Sequence, residues 1–338
     1  MTDGLHRVAS PDALAALPAG GPVARLDAGA WALNPPDRHL VLVRDGALVG
    51  RASVWWTGPP PVPGEPDAVA GRVGHAEWAD ADAGHQLLTE ALAALAAAGC
   101  TRALGPLDGS TWFAYRVVTD AAPSGGEREP PFLLEPWPTP VVAQAFAGAG
   151  FEPVAHYLSS RVDALPDESG PLADGLRQLR ASGVTVRPFR PEDAGGELRR
   201  LHPLLLRAFA GNPFYTPLGL DRFLALYRGV LPLVDPALVL VAERCRRPVG
   251  VALGLPDAAQ AARGERADTV VLKTLAVDPS ERGVGLGGTL VRAVQEAARA
   301  RGLTRAVHAL MHAANDSAKI SRHLGRPVRR YALLSRSL

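Results

Sequence analysis

Runs of β-branched residues broken by polar turns mark a hairpin at two places in the chain. Leu40-Val-Leu-Val43 is followed by a charged turn and Val49-Gly50. Leu238-Val-Leu-Val241 is followed by the charged turn 244–247 and Val249-Gly250. Further along, helical patterns end at Gly99 and Gly302, where a glycine suits the left-handed residue that closes a helix. Both glycines open closely similar strings, Gly99-Cys-Thr-Arg-Ala103 and Gly302-Leu-Thr-Arg-Ala306, ahead of a strand. A third echo joins Pro153-Val-Ala-His-Tyr157 to Pro327-Val-Arg-Arg-Tyr331. Three echoes in one order imply an internal duplication.

The unit is clearest in its second copy. A strand is expected over 184–189, then a helix opened by Pro191-Glu192-Asp193, with proline and acids in its first turn. A helix at 218–231 follows, then strands at 238–243, 248–255 and 269–277. A glycine loop leads into a helix at 286–301. A strand at 304–311, a short helix at 316–323 and a last strand at 328–336 complete it. This is an α+β layer fold around a mostly antiparallel sheet flanked by helices. The expected division is 1–165 for the first unit, 166–182 for a linker carrying Pro166, Gly170 and Pro171, and 183–338 for the second.

Composition sharpens this picture. A length of 338 residues suits two domains, and 47% hydrophobic with 21% charged residues excludes a disordered chain. No run of 18 apolar residues suggests a membrane span. The start lacks the basic-then-apolar layout of a signal peptide. Two cysteines, Cys100 and Cys245, make neither a disulfide framework nor a thiolate metal site. A cytoplasmic, metal-free protein is the expectation. Only Lys273 and Lys319 are lysine, against 34 arginines, which fits the codon bias of a GC-rich genome. The net charge of +2 conceals a split. Residues 1–168 carry 10 Arg against 20 acids, net −10; residues 169–338 carry 26 Lys and Arg against 14 acids, net +12. All six tryptophans lie in the acidic half.

The segment richest in chemistry is Leu275-Ala-Val-Asp-Pro279, leading to Arg282-Gly-Val-Gly-Leu-Gly-Gly288. A strand runs through a turn into a glycine-rich helix start. Glycines permit positive φ and close approach, the first-turn amides lack intrahelical partners, and Arg282 adds a forked donor; together these make an anion site. The spacing and position differ from those of a dinucleotide-binding fold, and no Gly-Lys-Ser/Thr of a P-loop follows. The alternative is a loop that only packs closely on a neighbour.

This stretch resembles the acyl-CoA motif of the GNAT superfamily of N-acetyltransferases. The segment from Asn315-Asp-Ser-Ala-Lys319 to Gly325 resembles the family's second motif, and the likeness covers 183–338. It implies that the main chain of Leu275, Ala276 and Val277 pairs with the pantetheine arm of acetyl-CoA or another acyl-CoA. It also implies that the amides of Arg282, Gly283, Val284, Gly285, Leu286, Gly287 and Gly288 hold the pyrophosphate. Asn315 and Ser317 would contact the arm, although Asn315 also suits a plain helix cap.

In the first copy, Ala79-Asp-Ala-Asp-Ala-Gly84 stands where the glycine loop would be, and Asp80 and Asp82 would repel phosphates. This half resembles the first domain of large GNAT-related proteins, through Gly71-Arg-Val-Gly74, Gly105-Pro106, Trp112, Arg116 and the 130–136 segment. A degenerate copy that does not bind CoA is expected. Trp112, Arg116, Glu135 and Trp137 fall on expected loops, where they either line a substrate pocket or fill the interface.

The family reaction is attack of an amine on the thioester, which needs a proton acceptor and a donor for the leaving thiolate. The chain departs from the pattern twice: strand 269–277 has no carboxylate, and the usual tyrosine of the second motif is Ser321. Candidate proton carriers are His308, His312, Glu243 and Ser321, with Tyr215 and Tyr331 as further acids. The expected acceptor is a small-molecule primary amine, of cationic character if the acidic half draws it in. No nucleic acid or membrane partner is expected. Two alternatives stand beside the acyltransferase: a CoA-binding sensor or pseudoenzyme, and an aminoacyl-tRNA-dependent transferase.

Overall fold

The computed structural model describes residues 2–125, 128–167 and 169–338. Strands of the first half are β1 (Gly4–Val8), β2 (Arg38–Arg44), β3 (Ala47–Trp55), β4 (Ala70–Trp78), β5 (Arg102–Gly105), β6 (Val117–Asp120) and β7 (Glu152–Val162). Those of the second are β8 (Val184–Pro188), β9 (Val239–Arg244), β10 (Arg247–Pro256), β11 (Thr269–Val277), β12 (Arg305–His312) and β13 (Arg326–Ser337). The helices are α1 (Pro11–Leu14), α2 (Ala28–Leu33), α3 (Ala81–Ala97), α4 (Pro140–Gly148), α5 (Ser169–Ala181), α6 (Ala194–Phe209), α7 (Leu220–Arg228), α8 (Ala258–Ala262), α9 (Leu286–Ala300) and α10 (Asp316–Arg322). The linker expected at 166–182 is thus largely a helix, α5, whose Leu179 joins the second core.

The repeated Val-Gly pairs have a packing cause. Gly50 on β3 lies under α3, and a Cβ there would stand 2.6 Å from Leu87. Gly250 on β10 lies under α9, 3.1 Å from Leu286 and Leu290 by the same measure. Each glycine lets a helix settle onto its sheet. Leu87, Leu88, Ala91 and Leu95 form the buried stripe of α3; Leu286, Leu290, Val294 and Ala298 form that of α9. Burying each large side chain contributes about 2 kcal/mol.

All strands join one sheet in the order β1-β2-β3-β4-β5-β13-β7-β12-β11-β10-β9-β8, with β6 also paired to β13. The two halves therefore exchange their last strands. β13, the end of the chain, lies beside β5 of the first half, while β7 lies beside β12 of the second. Equivalent pairs keep equivalent register. Leu104 faces Ser335 and Val307 faces Arg161; Gly105 faces Leu334 and His308 faces Ser160. At the centre Tyr157 faces Tyr331. A local two-fold relation between the copies passes through that pair.

Candidate functional site

The site is set by a split between two parallel strands. β11 and β12 pair from Thr269–Arg305 to Leu272–His308 and then separate. β12 bends away at Leu310, whose φ is +57, and continues against β7. Among the described residues, 273–277 of β11 has no strand partner on that side, while its other edge stays paired to β10.

Directly after β11 the glycine loop is anchored from both ends. Asp278 accepts hydrogen bonds from the Ser280 amide (3.1 Å) and from Arg207 of α6 (2.7 Å). Burial works against its charge, but Ser280 and Arg207 hold its carboxyl down to about 2. Glu281 pairs with Arg244 at 2.7 Å. Gly283 and Gly285 have φ of +86 and +76, and Gly285 is the N-cap of α9 with no side-chain cap. The first amide of α9 taken by the helix is that of Thr289, bonded to the Gly285 carbonyl. Among the described residues no protein acceptor takes the amides of 283–288.

The first half has the same elements in a closed form. Asp80 caps α3 by accepting from the Ala83 amide at 2.7 Å, and Arg44 bonds both Asp80 and Asp82. β4 and β5 also part after Arg72–Leu104, but the chain beyond β5 fills the gap. The Leu107 amide donates to the Val73 carbonyl at 2.8 Å, and the His75 amide donates to Asp108 Oδ1 at 2.6 Å. A Cβ on Gly74 would stand 2.3 Å from the Leu107 carbonyl oxygen, so glycine is required for that approach.

A cavity of about 670 Å³ opens at the β11–β12 split and is lined by both halves. Leu275, His308, Asn315, Ser317 and Ser321 line it. Ala276 is buried in the core under α6. His308 is buried, and its Nδ1 is hydrogen-bonded to Ser321 Oγ, while its Nε2 faces Gln295 at 3.1 Å. Burial pushes its pKa down to about 4, so the imidazole is neutral. Asn315 takes the N-cap position of α10, but its side chain makes no cap bond and donates instead to Asn212 at 3.1 Å. Glu243 does not line the cavity. Arg187 holds it at 2.5 Å while also binding Glu197 at 2.7 Å.

Among the aromatic candidates, Tyr215 lines the cavity, its buried hydroxyl without a hydrogen-bond partner among the described residues, and burial pushes it up to about 12. Tyr331 lies behind the wall, its hydroxyl on Glu135 at 2.5 Å. Trp112 lines the cavity and packs on Phe209 and Phe223 across the interface. Trp137 is covered by Arg128 and Arg329.

One group escaped the sequence reading. Lys273 lines the cavity at the first position past the split, and its Nζ donates to the Leu134 carbonyl at 2.7 Å. Burial, then the charge of Arg116, push it down to about 7 against the pull of Glu135. The available signal was a lone lysine inside Thr269-Val-Val-Leu-Lys-Thr-Leu-Ala-Val277, an otherwise uncharged strand of a chain with only two lysines against 34 arginines.

The geometry of an open strand edge leading to an uncapped helix agrees with comparison to known proteins. Residues 205–324 match the model of the acetyltransferase (GNAT) family. This segment belongs to the GNAT family. The chain is an acyltransferase built from two tandem GNAT folds. A tandem GNAT protein from the clavulanic acid biosynthesis pathway has a similar structure, with a TM-score of 0.53 at 15% identity over 99% of this chain and 98% of that one. A GCN5-related glucosamine N-acetyltransferase region of a fungal multi-domain GH3 β-N-acetylglucosaminidase gives 0.51 at 15% identity, over 99% of this chain and 38% of that one. Likeness at this identity concerns the GNAT fold. No curated protein matches the chain. Among the described residues no helix is long and apolar enough to cross a membrane, and no cluster of side chains suits a metal ion.

Proposed function

We propose that the chain transfers an acetyl or other acyl group from acyl-CoA to the primary amine of a small molecule, by direct attack of the amine on the thioester. The observation that carries this reading is the run of unclaimed amides at 283–288, placed at the end of an unpaired strand edge and beside the cavity. An anion at a helix N-terminus gains from both the free N–H groups and the helix dipole. Arg282, exposed beside them, adds a charged donor for the pyrophosphate.

Main-chain groups of Leu275 to Val277 would hold the pantetheine arm, with Asn315 and Ser317 of the cavity lining contacting it as well. An amine entering the cavity must lose a proton, and the departing thiolate must gain one. His308 and Ser321 form a hydrogen-bonded pair at the cavity wall; with the imidazole neutral, His308 positions the Ser321 hydroxyl. The Tyr215 hydroxyl, protonated at neutral pH, is a second donor within the same cavity. The closed first half supports a single CoA site per chain.

Isothermal titration of the full chain with acetyl-CoA tests the proposal. The expected result is one site per chain, lost in Gly285→Asp, with thiol release when an amine substrate is added. Absence of CoA binding by the wild type would remove the reading.

A further inference from the structure

Four charged side chains line the cavity, the cations Arg116 and Lys273 and the carboxylates Asp108 and Glu135, and among the described residues neither cation is in a salt bridge. Arg116, from the first half, is only 3% exposed. Its backbone has φ of +84, a left-handed conformation that is unfavourable for a residue with a Cβ. The guanidinium sits in the corner of two nearly perpendicular rings, 3.7 Å from the centre of Tyr115 and 3.9 Å from that of Tyr157. Its Nη1 donates to the Leu310 carbonyl at 3.1 Å, and its Nε has no partner among the described residues. No carboxylate pairs with it among the described residues.

Arg72 and Arg187 also leave an Nε without a partner among the described residues, but their other donors are engaged. Arg329 has Glu135 at 2.9 Å, and Arg187 has Glu197 and Glu243. Arg72 gives two donors to the carbonyls of Thr57 and Gly58 and does not line the cavity. A buried cation without a counter-ion is unfavourable. At Arg116 the cavity itself is where an anion can enter. The forked N–H edge of the guanidinium matches a planar carboxylate.

The surroundings agree. Lys273, which also lines the cavity, has no salt-bridge partner among the described residues, and its Nζ donates to the Leu134 carbonyl. An anion beside it would restore the ammonium form that burial and Arg116 disfavour. The nearby carboxylate, Glu135, is already saturated by Arg329, Tyr331 and the Phe132 amide. Asp108, also on the cavity, accepts the His75 amide, and burial raises its pKa to about 6. Much of the acidic excess of the first half is turned elsewhere: Asp80 and Asp82 lie on Arg44, Glu90 on Arg7, and Glu65 on Arg102.

We propose that the acceptor is an amino carboxylate, and that its carboxylate seats on Arg116 beside Lys273 while an apolar body packs against Trp112 and Tyr227. This rests on the acyltransferase reading above and sets an acceptor that carries a carboxylate against the cationic one expected from overall charge. Apolar and aromatic amino acids fit the class.

The test uses matched pairs on the full chain near pH 7. L-leucine, L-phenylalanine and L-tryptophan are compared with their carboxamides, with 4-aminobenzoate and 4-aminobenzamide as a further pair. Thermal shift, with and without CoA, reads binding; thiol release from acetyl-CoA reads transfer. A free acid is expected to be favoured by about tenfold or more over its amide, the value of a charge-assisted hydrogen bond. Arg116→Gln should erase that preference and Lys273→Met should reduce it. The wild-type comparison stands even if a variant fails to fold. Amides used as well as acids, a preference that survives Arg116→Gln, or no free acid bound at all would each overturn the subsite. Acids that bind without any acyl transfer would instead sink the acyltransferase reading and leave the subsite standing.

Discussion

Tyr157 and Tyr331 stand directly opposite one another in the β7–β13 pair, and they are the same position of the repeated unit. The two copies have put this position to different uses. Tyr331 is fully buried and bonded to Glu135 and Ser159. Tyr157 lines the cavity and stacks on Arg116. The pair marks where the sheet passes from one half to the other, and where a structural copy meets the site-forming one.

Removing the two hydroxyls should therefore have unequal effects. Tyr331→Phe takes a donor from a buried carboxylate and should cost about 1–3 kcal/mol of stability. Tyr157→Phe keeps the ring over Arg116 and should change stability by less. Urea denaturation of the two variants checks this; equal losses would show that the pair has not diverged.

The exchanged strands predict that neither half is complete alone. Residues 1–165 would expose the β5 edge that β13 covers, and 166–338 would lack β7 beside β12. Unpaired edges invite association. Each half made separately should run as an aggregate or oligomer, while the two made together should elute as a one-to-one complex. Size-exclusion chromatography decides it, and two well-behaved monomers with native melting curves would refute it.

The glycine loop should respond through backbone conformation. A Cβ at Gly285 meets nothing within 4 Å, but φ of +76 disfavours one. Gly285→Ala is expected to lose about 1–2 kcal/mol at most and to keep the fold. Acetyl-CoA affinity should drop far more than the melting temperature, because the amide run must shift to relieve the strain. A parallel fall of both would point to a structural loop.

The first half should resist repair at its loop. Replacing both Asp80 and Asp82 by glycine removes the caps and the charge, yet the β4 edge stays occupied by Leu107 and Asp108. The double variant should still bind one acetyl-CoA per chain. A stoichiometry of two by calorimetry would mean that the two aspartates alone closed the site.

Much of the second copy was legible because its signals are local. Strand 269–277 and the helix after the glycine loop are punctuated by Asp278-Pro279, Gly285 and Gly302, each of which dictates its own backbone. The strand exchange was not legible. β7 and β13 carry the same pattern, and β5 and β12 offer equivalent edges, so no local feature tells a strand which copy to join. Lys273 went unnoticed for a related reason: its environment is supplied by Leu134 and Arg116 of the other half. Glu243 looked available at a strand end until Arg187 of β8 claimed it.

Three buried histidines should make the protein acid-sensitive well above the carboxylate range. Burial holds His308 and His75 near 4, the latter with help from Arg51; burial, His75 and Arg51 hold His39 near 3. His39 and His75 share the Ser53 hydroxyl, at 2.8 and 3.0 Å. The folded pKa values lie below the unfolded value of about 6.5. Their contribution is therefore complete above pH 6.5 and is lost as pH falls toward 4, where the unfolded chain takes up protons that the native state refuses. Asp108 opposes them: burial raises its pKa to about 6, so its native form gains a proton in the same window. Three protons less one leave a net slope approaching about 2–3 kcal/mol per pH unit between pH 6 and 4. Asp278 adds nothing until pH falls below 3.8, since it stays ionised down to about 2. Denaturation midpoints at pH 7.5, 6 and 5 should decline with increasing steepness, and His308→Gln should flatten the decline. A profile level from pH 7.5 to 5 would contradict the burial of these three rings as neutral groups.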